Sequence, residues 1–407
     1  MNALFGVKLI FLNALRDWRK NTIASVAILI GTVSLILFGG YVAQMYEGIR
    51  LGIIHSQLGH YQIFSVGENA ESYSKNFIDK VTADRVQRKL QSLPEIELVS
   101  RRIEAQGLVS FGNKSIGVLV YGVEADQDAQ ISSAISVVAG SGLFAEQPEG
   151  ALVGKELLQE LGAKLGDIIT ILARTADGAL NAIDVKVTGV MDTGAKELNQ
   201  RFIKVNLSLM QELLYTDAIT NLVVLANEKK LNAISDRKIR VAVKNVDSGL
   251  TIKSWSELSD RYHQIVTMFN NIFGFMTVLV IAIIFAAIFN TMTMGVMERV
   301  SELATIRALG ISRVNLLIMV LSEGLVVGIF AILMGLIVGA IIAQAINWAN
   351  IPMPKPPGST FSYPLRILLT PQVLLTPAVL SLIATLIGSS FPAYRAGKLP
   401  INEAMQR

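Results

Sequence analysis

Four stretches of this chain are apolar for long enough to cross a hydrocarbon core, and any fold must be built around them. A membrane-crossing helix takes about 20 residues. The stretches cover residues 22–46, 265–297, 316–348 and 370–392. The first meets no charge before Glu47, and the second carries none and is long enough to tilt or protrude. The third holds one carboxylate, Glu323. A cleaved signal peptide is the competing reading of the first stretch. Its apolar run is much longer than the roughly 7–15 residues of a signal core, and no convincing small-residue cleavage site follows. It reads as a retained helix. The expected fold class is a membrane protein, with four transmembrane α-helices and a large mixed α+β extracytoplasmic domain between helices 1 and 2.

Composition agrees: 52% of residues are hydrophobic and 17% charged, where a soluble chain carries about a quarter charged. A net charge of +4 without basic–aromatic clusters argues against a nucleic-acid partner. The absence of cysteine removes disulfide frameworks, thiolate metal sites and cysteine nucleophiles. His55, His60 and His263 lie too far apart in sequence for a local metal motif.

Lysine and arginine in short flanks set orientation. Lys8, Arg16, Arg19 and Lys20 precede the first span; Arg299, Arg307 and Arg313 lie between the second and third; Arg395, Lys398 and Arg407 follow the fourth. The loop at 349–369 offers only Lys355 and Arg366. Both termini are expected in the cytoplasm and residues 47–264 outside. Leu4, Phe5, Phe11, Leu12 and Trp18, mixed with these cations, suit a cytoplasmic interfacial helix over residues 1–21. Residues 393–407 form a cytoplasmic tail.

In the external segment, 59–64 reads as a strand, and 82–93 as a helix capped by Thr82 and ended by Pro94. Strands at 99–111 and 115–123 flank a Gly112-Asn113-Lys114 turn. Helices at 155–161 and 209–215 and strands at 167–174, 180–191, 202–207 and 221–226 follow. Helical stalks at 46–58 and 256–263 join this two-lobed domain to the spans.

Four motifs carry the functional argument. Residues 150–156 (GALVGKE) faintly resemble a phosphate-binding loop, but the glycine spacing is one short and Glu156 stands where a magnesium-holding hydroxyl is needed. A turn into a helix is the better reading. Glu323, near the cytoplasmic edge, either pairs with a neighbouring helix and interfacial water or serves gating and coupling. Gly324/Gly328 and Gly335/Gly339 form GxxxG steps that let helices approach closely, within one protomer or across a dimer. Finally, residues 298–315 form a short, helix-favouring cytoplasmic segment. Leu303, Ile306 and Leu309/Gly310 make its apolar side, and Glu298, Glu302 and Arg307 supply charge. It is either an interfacial hairpin or a docking helix for a cytoplasmic protein.

MERVSELATIRALGISR (297–313), FPAYRAGKLPINEAMQR (391–407) and NALRDWRKNTIASVAILIG (13–31) together carry a resemblance. They are similar to the coupling segment, the terminal motif and the basic entry of the MacB/FtsX-type permease family of ABC transporters, in its LolC/LolE-like form without a fused ATPase. The resemblance implies that Glu298, Arg299, Glu302, Leu303, Ile306, Arg307, Leu309 and Gly310 couple to an ATPase. Leu303, Ile306 and Leu309 would insert into its groove, with Glu302 and Arg307 at the rim. It implies a separate cytoplasmic ATPase in two copies, a second permease chain, identical or related, and a periplasmic adaptor or chaperone, all against membrane lipid. ATP and magnesium would sit on that ATPase, with no cofactor, metal or catalytic residue on this chain. It further implies a bacterial inner-membrane location and mechanical transmission to a split porter-like lobe (58–125 and 217–255) with a second lobe inserted at 126–216. The leading function is the handling of a lipoprotein or other lipid-like envelope substrate at the outer face. Adaptor-dependent efflux and FtsX-like signalling to a wall hydrolase are the alternatives.

Overall fold

The first apolar stretch runs on as helix through residues 46–58, where a helical stalk is expected. In the computed structural model, which describes residues 18–66, 77–355, 360, 362 and 364–398, helix α1 spans Trp18–Ile53 and runs on as a π-helical turn, Ile54–Leu58. Gly59 stops it with φ 62°, donating its N–H to Ile54 O at 3.0 Å. A side chain here would strike Val224 O, so glycine is required by both conformation and space. Of the helix expected over 1–21, residues 1–17 lie outside the described residues and 18–21 begin α1; most of the tail at 393–407 also lies outside them.

Strand β1 (Tyr61–Ser65) leads to helix α2 (Lys80–Gln91) and the long hairpin β2 (Ile96–Phe111) and β3 (Lys114–Val123). The cap of α2 is Asp79, not Thr82. The Asp79 carboxylate accepts from Thr82 N at 2.9 Å, so the helix starts earlier than expected and Thr82 is buried inside it. Helix α3 (Ala125–Ile131), β4 (Ser136–Gly140), β5 (Gly150–Gly154) and α4 (Lys155–Leu161) follow. Next come β6 (Ile168–Arg174), β7 (Leu180–Asp192), α5 (Lys196–Asn199), β8 (Phe202–Asn206) and α6 (Leu207–Leu214). The chain then forms β9 (Asn221–Ala226), α7 (Ala233–Lys244), β10 (Leu250–Ser254) and the single-turn α8 (Trp255–Leu258).

Two strand groups result. The order β10-β1-β9-β2, antiparallel throughout, with α2 and α7 as crossovers, is a split βαβ arrangement. The C-terminal half of β2 turns to a different neighbour, β6, and pairing continues β6–β7–β5–β8–β3 and back to β2. That circuit closes a six-stranded barrel. The β2–β3 hairpin belongs to both groups, so residues 126–216 share one hydrogen-bonded sheet and one apolar core with the strands around them. Residues 150–156 form strand β5 and the start of α4. A Cβ on Gly154 would run into the backbone of Asn199, leaving no room for a side chain.

The remaining helices are α9 (Asp260–Glu298), α10 (Val300–Ala308), α11 (Arg313–Ala349) and α12 (Pro371–Lys398). With α1 they supply, among the described residues, four helices long and apolar enough to cross a membrane. The helix leading into the second span is broken at Ser259, between α8 and α9, where backbone φ and ψ leave the helical region. The membrane helices form one unit, and residues 48–263 with 354–363 form the other. Within the membrane unit α11 is held by its glycines. Gly324 and Gly328 face Ser389 and Thr385 of α12, while Gly335 and Gly339 face Thr32 and Ile36 of α1. A buried Thr32–Ser381 hydroxyl pair at 3.0 Å ties α1 to α12.

Candidate coupling site

Between α9 and α11 the chain makes one tight excursion. Arg299 leaves helical geometry at the end of α9, α10 runs for nine residues, and Gly310 at φ 98° reverses the chain. Ser312 then caps α11, accepting from Asn315 N at 3.2 Å.

The two faces of α10 differ sharply. Leu303 is 4% exposed and packs in the core of the membrane unit with Leu316 and Val320 of α11 and Ala393 and Ala396 of α12. Ala304 is buried beside it, and Ile306 is half-buried against the same cluster. Leu303 is thus covered by the chain's own bundle, and Ile306 is covered in part. Their own bundle already covers the apolar side that helical periodicity marks out. The outward side consists of Ser301, Glu302, Thr305, Ala308 and Leu309, with Leu309 82% exposed.

Arg299 fixes this arrangement. Its Nη1 donates to Glu323 Oε1 at 3.0 Å and to Oε2 at 3.4 Å, both side chains being mostly buried. Its Nε reaches Glu302 Oε2 at 3.4 Å. The lone intramembrane carboxylate is thus the partner of a coupling-segment arginine 24 residues away in sequence. Local spacing did not reveal this pair. The signal available was that the two residues lie at similar separations on either side of the Gly310 turn. Glu298 and Gly310 are exposed, and Arg307 is half-exposed on the flank of α10.

An apolar four-helix membrane unit, an α/β domain inserted after its first helix and a short helix seated between the second and third define a polytopic membrane protein. Residues 22–240 match the family described as MacB-like periplasmic core domain, more than half of the chain, and residues 274–401 match FtsX-like permease C-terminal. The chain belongs to this family of ABC transporter permeases, multi-pass membrane proteins with a periplasmic-type domain. It is 27% identical over 336 residues to the lipoprotein-releasing system transmembrane protein LolE of Haemophilus influenzae, covering 77% of this chain and 78% of that one. To LolC of Xylella fastidiosa it is 22% identical over 333 residues, with the same coverage. Among solved structures it resembles the periplasmic region of MacB from Actinobacillus actinomycetemcomitans (TM-score 0.38, 13% identity, 50% of this chain and 92% of that one). It also resembles the extracellular domain of YknZ from Gram-positive bacteria (TM-score 0.35, 11% identity, 47% and 98%).

Proposed function

We propose that this chain is the transmembrane subunit of an ABC machine whose ATP hydrolysis occurs on a separate cytoplasmic protein docked against the outward face of α10. The observation carrying this reading is the division of α10. One side is locked into the chain's own core, and the other presents Leu309 to solvent beside Glu302 and Thr305. A large apolar side chain held out from a rigidly seated helix suits a groove on another protein. The substrate is a lipid-anchored protein or similar hydrophobic envelope molecule, handled at the outer face. Support comes from the relatives, which are named for lipoprotein release.

The test is co-purification with the ATPase and the ATP turnover of the complex. Burying Leu309 is worth roughly 1.5–3 kcal/mol, so Leu309→Asp should weaken association at least about tenfold without lowering the yield of folded chain. Leu303→Asp should act differently, reducing folded chain because it places a carboxylate in the core. Full association and turnover in Leu309→Asp would remove the docking face. For the substrate, ATP-dependent transfer of an acylated protein from vesicles to the soluble phase should exceed that of its unacylated form.

A further inference from the structure

The π-turn that ends α1 is clamped by buried charge. Arg102 of β2 donates to Gln57 O at 2.5 Å and to Asp128 of α3 at 3.5 Å. Asp128 in turn accepts from Lys204 Nζ of β8 at 2.5 Å, and the same ammonium reaches Ser132 at 2.6 Å. Arg102 and Lys204 are each 1% exposed. Apolar contact runs along the same line, with Ile54 of the π-turn packing on Ile131 of α3. Ala134, just beyond α3, donates to His55 O at 2.8 Å.

Two buried cations sharing Asp128, with Glu104 also 3.8 Å from Arg102, are a costly way to fill a core, since a buried ion pair is commonly matched or bettered by apolar side chains of the same volume. What charge supplies is directional definition: a planar guanidinium fixes two partners at set angles. Here those partners are the end of the first membrane helix and the helix α3. The next link, Asp128 to Lys204, leads to β8, a strand of the barrel that makes no direct pair with β1, β9 or β10. Single π-turns within helices are frequent at functional positions, and this one bears the clamp. We infer that α3, with Arg102, Asp128 and Lys204, is the joint that passes displacement of the end of α1 to the barrel. Without it, displacement of the end of α1 would reach the barrel only through β1, β9 and the shared strand β2.

This inference rests on the reading that an ATPase drives the chain, and the experiment separates the two. The chain has no native cysteine, so spin-label pairs can be placed by substitution in the full chain assembled with its ATPase. One pair, Gly52→Cys with Lys253→Cys, reports the end of α1 against β10. The other, Arg88→Cys with Asp177→Cys, reports α2 against the barrel. Both distances should change on adding ATP. In the Asp128→Leu/Lys204→Met background, with its melting point retained, the first should still change and the second should change by only a small fraction of its unmodified response. Should that background fail to fold, Ile54→Ala opens the apolar half of the joint, with the same expectation. A barrel distance that still responds fully in the folded variant overturns the joint and leaves the ATPase reading intact. If neither pair responds to ATP in the unmodified assembly, the ATPase reading fails and the joint with it.

Discussion

His60 is 3% exposed, and its Nδ1 accepts from Ala226 N at 3.2 Å. Burial drives its pKa down to about 4, with Glu228 opposing and His55 and Arg50 adding to the fall. Because the folded pKa lies below the unfolded value of about 6.5, the neutral ring's contribution is complete above that value and is lost as pH falls through about 4. The full swing is on the order of 3 kcal/mol. Asp128 acts in the same direction at lower pH. Burial disfavours its anion, but Lys204 and Arg102 hold the carboxyl below the usual range. The melting temperature of the solubilised chain should therefore fall steeply between pH 6.5 and 4.5, and His60→Asn, which keeps an acceptor for Ala226 but does not titrate, should flatten that stretch. An unchanged slope in His60→Asn would place the acid sensitivity elsewhere. Arg299 and Glu323 form a second residue-scale test. Glu323→Ala leaves a mostly buried guanidinium without its main partner, which costs more than removing both groups together. Glu323→Ala should loosen α10 and lower ATPase association, and adding Arg299→Ala should restore part of it.

At the scale of elements, α11 depends on close approach. A Cβ on Gly328 would lie 2.5 Å from Thr385 Cγ2, and one on Gly335 2.9 Å from Thr32 Cβ. Overpacking of this kind costs about 1–3 kcal/mol. Gly328→Ala should lower the melting temperature, and Thr385→Ala in the same chain should recover it. Gly48→Ala, with nothing within 4 Å, should be silent. The glycine spacing was legible in the sequence; which helix each step faces was not, because that depends on partners far along the chain. The same division holds elsewhere. The β2–β3 hairpin was readable from Gly112-Asn113 between alternating runs, since its information is local. Helix α7 went unread: its exposed Ile234 and Val241 blur the apolar face, and its capping box, Asn232 with Ser235, lacks the usual acidic or amide third residue. Edge strand β4 is too short and too exposed to show an inward face. On α10, periodicity found the apolar side, but only the fold shows that the chain itself covers it.

For the molecule as a whole, the remaining question with physical content is which end of each span meets the cytoplasm. Electrostatics decides it. Arg19 and Lys20 open α1; Arg299, Arg307 and Arg313 lie in and beside α10; and Arg395 and Lys398 end α12. The segment between α11 and α12 has only Lys355 and Arg366. Cations in short flanks resist translocation, whereas a long domain crosses regardless of its charges. The odd number of spans between α10 and either of those basic ends is excluded by the helix count: α10 follows two spans and precedes two, so all three basic regions share one side. The expected arrangement puts them in the cytoplasm and residue 177, in the β6–β7 turn, outside. Single substitutions in this cysteine-free chain test it, using a membrane-impermeant maleimide on sealed cells. Asp177→Cys should label in intact cells, and Ser312→Cys only after the membrane is opened. The reverse pattern would put α10 outside, where no cytoplasmic ATPase could reach Leu309, and the proposed coupling would fall with the topology. Labelling of both sites in intact cells would break the four-span count itself, since residues 177 and 312 are separated by the single span α9.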